Sequence, residues 1–225
     1  LPGSAGGVLR HAPAAAVHFV SGGTQANQIV LSALLKPHEA VIAAESGHIN
    51  VHEAGAIEAT GHKVLTVSSS DGKVRPAQVL ATLAQHTDEH MVKPKAVYIS
   101  NSTEVGSAYT RQELENLRQT CQERQLYLFL DGARLGAALT SPGCDLVLPD
   151  LARLVDILYI GGTKNGALLG EAIVINSPAL QTEFRFGIKQ RGGLLAKGRL
   201  MGIQFLELFK DDLYFELARQ ANARA

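Results

Sequence analysis

The chain has 225 residues, 46% of them hydrophobic, enough to bury the core of one large domain. Its 21 basic and 21 acidic side chains cancel, which leaves no electrostatic footprint for nucleic acid or an anionic membrane and favours a small-molecule partner. No apolar stretch approaches bilayer-spanning length, and Leu1-Pro-Gly-Ser-Ala-Gly-Gly has neither a basic n-region nor a continuous h-region, so a soluble, cytoplasmic protein is expected. Cys121 and Cys144 are too few and too isolated for a disulfide framework or a thiolate zinc site, and core packing is expected of both. The glycine-rich start without a methionine points to a chain that begins inside a longer protein.

In chain order, Phe19-Val-Ser-Gly-Gly-Thr-Gln-Ala-Asn27 passes from apolar residues through glycines into a helix expected over 24–35. Glycines permit a close turn, Thr24 offers a hydroxyl, and the free N–H groups of a helix start favour an anion such as phosphate. A plain helix entry capped by threonine fits the same residues. Ala40–Ala44 is a strand, followed by His48 and His52, one helical turn apart, and Glu53. The order H-E-x-x-H is missing, so no metal is expected; an imidazole at His48 can stack on an aromatic cofactor. Further strands are expected at 64–67, 96–100, 126–130, 157–160 and 172–175, and further helices over 76–85 and 110–124, the latter opened by the capping box Thr110-Arg-Gln-Glu113. The tail from Leu200 has helical spacing at Met201, Phe205, Leu208 and Phe209 and points towards a second domain.

Strands that are apolar on both faces, alternating with helices, specify a three-layer α/β/α architecture around a mostly parallel sheet, with ligands beyond the carboxyl ends of the strands. Two charges fall there: Asp131, which closes the 126–130 strand in Asp131-Gly-Ala-Arg134, and Lys164, delivered by Gly161-Gly-Thr-Lys-Asn-Gly166. A lysine so placed can act as a Schiff-base nucleophile, and a carboxylate can face a pyridinium nitrogen, the pair pyridoxal phosphate requires. A solvated surface lysine and an Asp131–Arg134 ion pair are the structural alternatives.

The motifs Ser21-Gly-Gly-Thr-Gln-Ala-Asn27, Glu45-Ser-Gly-His48, Ser102-Thr-Glu-Val-Gly106, Asp131-Gly-Ala-Arg-Leu135 and Gly162-Thr-Lys-Asn-Gly166 together resemble the threonine aldolase family, β-eliminating lyases with the aspartate-aminotransferase fold. The resemblance runs over nearly the whole chain. It implies a fold-type I pyridoxal 5'-phosphate enzyme that cleaves threonine or a related β-hydroxy-α-amino acid to glycine and an aldehyde. By that resemblance Lys164 forms the Schiff base, Asp131 pairs with the ring nitrogen, His48 stacks on the ring, Gly23 and Thr24 hold the phosphate, and Arg134 binds the substrate carboxylate. The Lys189-Gln-Arg-Gly-Gly193 segment is similar to a family segment near the phosphate. Glu104 stands where family members often carry histidine, and no β-hydroxyl base is assigned. The resemblance also implies a homodimer or homotetramer, with residues 1–225 forming the large cofactor domain and the family's N-terminal segment and small C-terminal domain absent. Other pyridoxal reactions, β-elimination or transamination, and a noncatalytic anion-binding module are the competing readings.

Overall fold

The computed structural model describes residues 15–225; the Leu1–Gly7 segment lies outside them. A seven-stranded sheet runs through the molecule. Its strands are β1 (Ala16–Val20), β2 (Glu39–Ala44), β3 (Lys63–Val67), β4 (Lys93–Ser100), β5 (Tyr127–Gly132), β6 (Ile157–Gly161) and β7 (Glu171–Ile175), in the order β1-β7-β6-β5-β4-β2-β3. From β3 to β6 every pairing is parallel, whereas β7 lies antiparallel to both β6 and β1.

The helices are α1 (Gly23–Leu34), α2 (His48–Val51), α3 (Pro76–Gln85), α4 (Arg111–Glu123), α5 (Leu135–Thr140), α6 (Leu148–Leu154), α7 (Phe184–Gln190), α8 (Arg199–Leu208) and α9 (Leu213–Asn222). They cover both faces of the sheet, and alternation within single strands shows how. Ile42 and Ala44 of β2 join a core with Val79, Leu114, Leu151, Phe205 and Tyr214. Val41 and Ala43 of the same strand join the opposite core, with Ile29, Phe184 and Ile188. Burying a leucine such as Leu114 or Leu117 contributes about 1.5–3 kcal/mol, and both are fully buried on α4. That helix starts at the expected capping box: Glu113 N–H donates to Thr110 Oγ1 at 3.3 Å, and Thr110 N–H donates to Glu113 Oε2 at 2.8 Å.

Two features depart from the sequence reading. The edge strand β1 was not anticipated, because His18 interrupts its short apolar run. Of the expected strands, the last, β7, reverses direction. The apolar residues of the tail pack on this domain: the Phe205 ring lies 5.3 Å from that of Phe19, and Tyr214 donates from its hydroxyl to Gly161 O at 3.0 Å. Cys121 is fully buried and Cys144 partly so; burial pushes the Cys121 thiol up to about 12.

Candidate active site

Parallel strands place their carboxyl ends on one side, so the segments that follow β2, β4, β5 and β6 converge. The turn after β1 joins them, since β1 and β6 both run antiparallel to β7. There a cavity of about 250 Å³ is lined by Ser21, Gly22, Gly23, Thr24, His48, Ser100, Ser102, Glu104, Asp131, Ala133, Arg134, Tyr159, Thr163, Lys164 and Glu171. All the candidate residues singled out by sequence, Gly23, Thr24, His48, Asp131, Arg134 and Lys164, therefore meet at one site.

Gly161 explains how the Asp131 and Lys164 segments come so close. A Cβ at this position would lie 2.4 Å from Ala133 O, so only glycine lets the end of β6 pass beneath the Asp131-Gly-Ala loop.

Asp131 is 3% exposed, and its carboxylate is held by donors. Tyr98 donates from its hydroxyl to Oδ2 at 2.5 Å, Asn27 Nδ2 reaches the same oxygen at 3.4 Å, and Ala133 N–H donates to Oδ1 at 2.9 Å. No ion pair is formed by Asp131 or Arg134 among the described residues, so the Asp131–Arg134 pair weighed from sequence is not made. Burial, followed by the Asp131 charge, holds the Tyr98 and Tyr159 phenols well above their usual range, so both remain donors at neutral pH.

His48 is fixed by its neighbours. Its Nδ1 lies 2.8 Å from Oε1 of Glu53, whose side chain is fully buried and also accepts from Asn27 Nδ2 at 2.6 Å. The hydrogen bond to Glu53 is the largest influence on the imidazole; it outweighs burial and raises the pKa. The His48 backbone N–H donates to Glu104 Oε1 at 3.2 Å, and Ser100 Oγ donates to the same oxygen at 2.6 Å. The His52 ring stands 5.5 Å from that of His48; no cluster of three metal-ligating side chains occurs among the described residues.

The start of α1 is open. Gly22 caps it without a side-chain hydrogen bond, so its first-turn N–H groups have no capping oxygen. Nearby, Gln25 accepts from Ser21 N–H and Oγ and donates to Arg191 O at 3.0 Å, tying the glycine turn to the 189–193 segment. Thr24, Arg134 and Lys164 are exposed. Asn27, Glu53, Tyr98, Tyr159 and Glu171 were not anticipated. Asn27, Tyr98, Tyr159 and Glu171 lie inside helices and strands and Glu53 in the bend after α2; a buried polar residue among apolar neighbours was the only available signal.

A family model described as Beta-eliminating lyase matches residues 9–224. The chain belongs to this family. It is 37% identical over 208 residues to the low specificity L-threonine aldolase of Pseudomonas sp. (strain NCIMB 10558), a match that covers 92% of this chain and 60% of that protein. A solved structure of Leishmania major threonine aldolase is 55% identical, with a TM-score of 0.97, over 98% of this chain and 65% of that one. Aspartate aminotransferase from Thermus thermophilus with maleate shares the fold at a TM-score of 0.70 and 18% identity, over 92% of this chain and 54% of that one. The chain thus spans about 60% of the length of the curated relative it matches.

Proposed function

We propose that this region is the large cofactor domain of a pyridoxal 5'-phosphate enzyme that cleaves threonine, or a related β-hydroxy-α-amino acid, to glycine and an aldehyde. The observation that carries the proposal is the convergence of Gly23, Thr24, His48, Asp131, Arg134 and Lys164 on one cavity. The similarity to threonine aldolases favours this reaction over transamination.

The residues present fit the cofactor. The uncapped start of α1 offers N–H groups beside the Thr24 hydroxyl for the phosphate. Asp131 is a buried carboxylate with no cationic side chain bonded to it among the described residues, which suits a protonated ring nitrogen. Lys164 exposes an amine at the same cavity. When bound, the cofactor supplies an electron sink for the pair released from the Cα–Cβ bond.

The chain's own groups have separate tasks in this reading. Lys164 would anchor the cofactor through its Nζ amine. Asp131, oriented by Tyr98, Asn27 and the Ala133 N–H, would hold a proton at the ring nitrogen. His48, braced by Glu53, would offer its imidazole to the ring. Arg134 presents a planar fork to the substrate carboxylate and so helps to fix which Cα bond is broken. A homodimer or homotetramer is part of the proposal; Leu168 and Phe186, 90% and 75% exposed, provide apolar surface for such contacts. No helix among the described residues is long and apolar enough to cross a membrane.

The deciding experiment uses the full-length protein loaded with pyridoxal phosphate and supplied with threonine and allo-threonine. Glycine and acetaldehyde in equal amounts, with borohydride trapping the cofactor on Lys164, are expected. Release of a keto acid would replace cleavage with transamination or β-elimination. Absence of any lysine-linked chromophore would leave a noncatalytic anion-binding module.

A further inference from the structure

His48 and Asp131 come from different elements, the helix after β2 and the end of β5, and one side chain joins them. Asn27 stands on α1 one turn after Thr24. It is the polar member of a buried set that otherwise consists of Ala26, Ile29, Val30, Leu31 and Leu34. Its side chain is fully buried, and its amide nitrogen lies 2.6 Å from Glu53 Oε1 and 3.4 Å from Asp131 Oδ2. Glu53 Oε1 in turn lies 2.8 Å from His48 Nδ1. The line His48–Glu53–Asn27–Asp131 therefore runs unbroken from the imidazole to the carboxyl group, and Asn27 is its middle.

The chemistry of the amide fixes its orientation. A side-chain amide nitrogen carries two hydrogens, one for each carboxyl group, whereas the reverse orientation would set its oxygen against both. The arrangement costs stability elsewhere. Asn27 Oδ1 and Glu53 Oε2 are buried and have no hydrogen-bond partner among the described residues, and a buried acceptor left without a donor is destabilising. Leucine at this position would continue the apolar face of α1 without that cost. A polar cluster that the core does not need is better explained by what it places.

We propose that Asn27 is the positioning residue of the ring site: one amide nitrogen, bonded to Glu53 and Asp131, sets the spacing between the His48 imidazole and the Asp131 carboxyl group and refers both to α1. The same helix offers its uncapped start to an anion, so the phosphate end and the ring end of a ligand would be measured from one rigid element. Contacts of this kind keep their strength only when held within about 0.5 Å of the working geometry by locked neighbours. The inference rests on reading the cavity as a pyridoxal phosphate site, and it adds what holds the ring contacts in register with the phosphate turn.

The test is equilibrium binding to the full-length protein freed of cofactor, with pyridoxamine 5'-phosphate and inorganic phosphate as the two probes. Pyridoxamine phosphate carries the ring nitrogen and the phosphate but no aldehyde, so it reads the ring site without a bond to Lys164. Asn27→Leu keeps the bulk and the helix and removes the donor. It should weaken pyridoxamine phosphate about tenfold and leave inorganic phosphate within about twofold, whereas a general disturbance of α1 would weaken both alike. An equal loss for the two probes, or no loss for either, in the folded variant overturns the proposal. If Asn27→Leu does not fold, Asn27→Ala is measured in the same way. If neither folds, the Asn27 side-chain amide protons are followed by NMR in the unsubstituted protein as pyridoxamine phosphate is added; signals that move with occupancy support the proposal, and signals that stay overturn it. Failure of the functional reading is distinguishable. An unsubstituted protein that binds pyridoxamine phosphate no more tightly than phosphate overturns the cofactor reading and this inference with it, while a difference that survives intact in Asn27→Leu removes only the role of Asn27.

Discussion

Removing the Tyr98 hydroxyl isolates the shortest of the three hydrogen bonds described at Asp131. Tyr98 is 1% exposed, its ring meets Phe129 edge-on at 5.6 Å between centroids, and its hydroxyl donates to Asp131 Oδ2 at 2.5 Å. Tyr98→Phe keeps the ring and deletes one oxygen, so the packing loss is small and the change falls on the carboxylate. A hydrogen bond to a charged group is worth about 1.5–3 kcal/mol, and leaving a buried acceptor short of a donor costs a similar amount. Asp131 retains the Ala133 N–H and a long contact from Asn27, so the loss is expected within that range. For a domain of this size the melting temperature should fall by about 3–12 °C. The assay is thermal unfolding of Tyr98→Phe, Asp131→Ala and the double variant, which separates the pair from each side chain alone. A double variant equal to the sum of the single ones within about 0.5 kcal/mol would refute the view that Tyr98 acts through Asp131.

Asp131→Asn should leave pyridoxal phosphate linked to Lys164 while lowering cleavage by at least about tenfold, since a neutral amide cannot hold the ring proton as a carboxylate does; absorbance of the loaded protein and single-turnover cleavage would check both halves. Arg134→Lys should raise KM by about tenfold with a smaller change in kcat, because a point charge loses the planar fork; an unchanged KM would remove Arg134 from the substrate site. The folded pKa of His48 lies above the usual 6.5, so its ion pair stabilises the protein fully below that pH, and the contribution fades as pH rises through the folded value. Glu53→Gln should lower the midpoint of the His48 ring signals in an NMR titration, and a midpoint that stays raised would show that Glu53 is not the cause.

The alternation of apolar runs and helical patterns made the sheet legible, because β2, β5 and β6 are buried on both faces and show it in Ala40–Ala44, Leu126–Leu130 and Ile157–Ile160. The direction of β7 was not legible. A strand packed on both faces has the same composition whether parallel or antiparallel, and the short link from Lys164 to Glu171, too brief for a crossover helix, was the only cue. The candidate residues at the site announced themselves as charges or glycines at strand ends. Their supporting shell did not: Asn27 and Glu53 look like surface positions of helical segments, and only the fold turns them inward against His48 and Asp131.

The cavity is polar in a directed way, and this bears on what it can hold. One wall is the open start of α1, with N–H groups and a threonine hydroxyl, which attracts an anion. The opposite requirement is set by the Asp131 carboxyl group, which accepts from Tyr98, Asn27 and the Ala133 N–H and is bonded to no cation among the described residues. Lys164 and Arg134 add two exposed cations to the lining. A simple anion would satisfy the helix start and leave Asp131 buried without a counter-charge, which costs several kcal/mol when nothing compensates it. A simple cation would satisfy Asp131 and face the helix start, Lys164 and Arg134 with the wrong sign. A ligand that carries phosphate at one end and a protonated ring nitrogen at the other satisfies both walls at once, and the free amine of Lys164 then meets whatever reactive carbon lies between them. The noncatalytic anion-binding reading leaves Asp131 unexplained, and for that reason the cofactor reading is preferred.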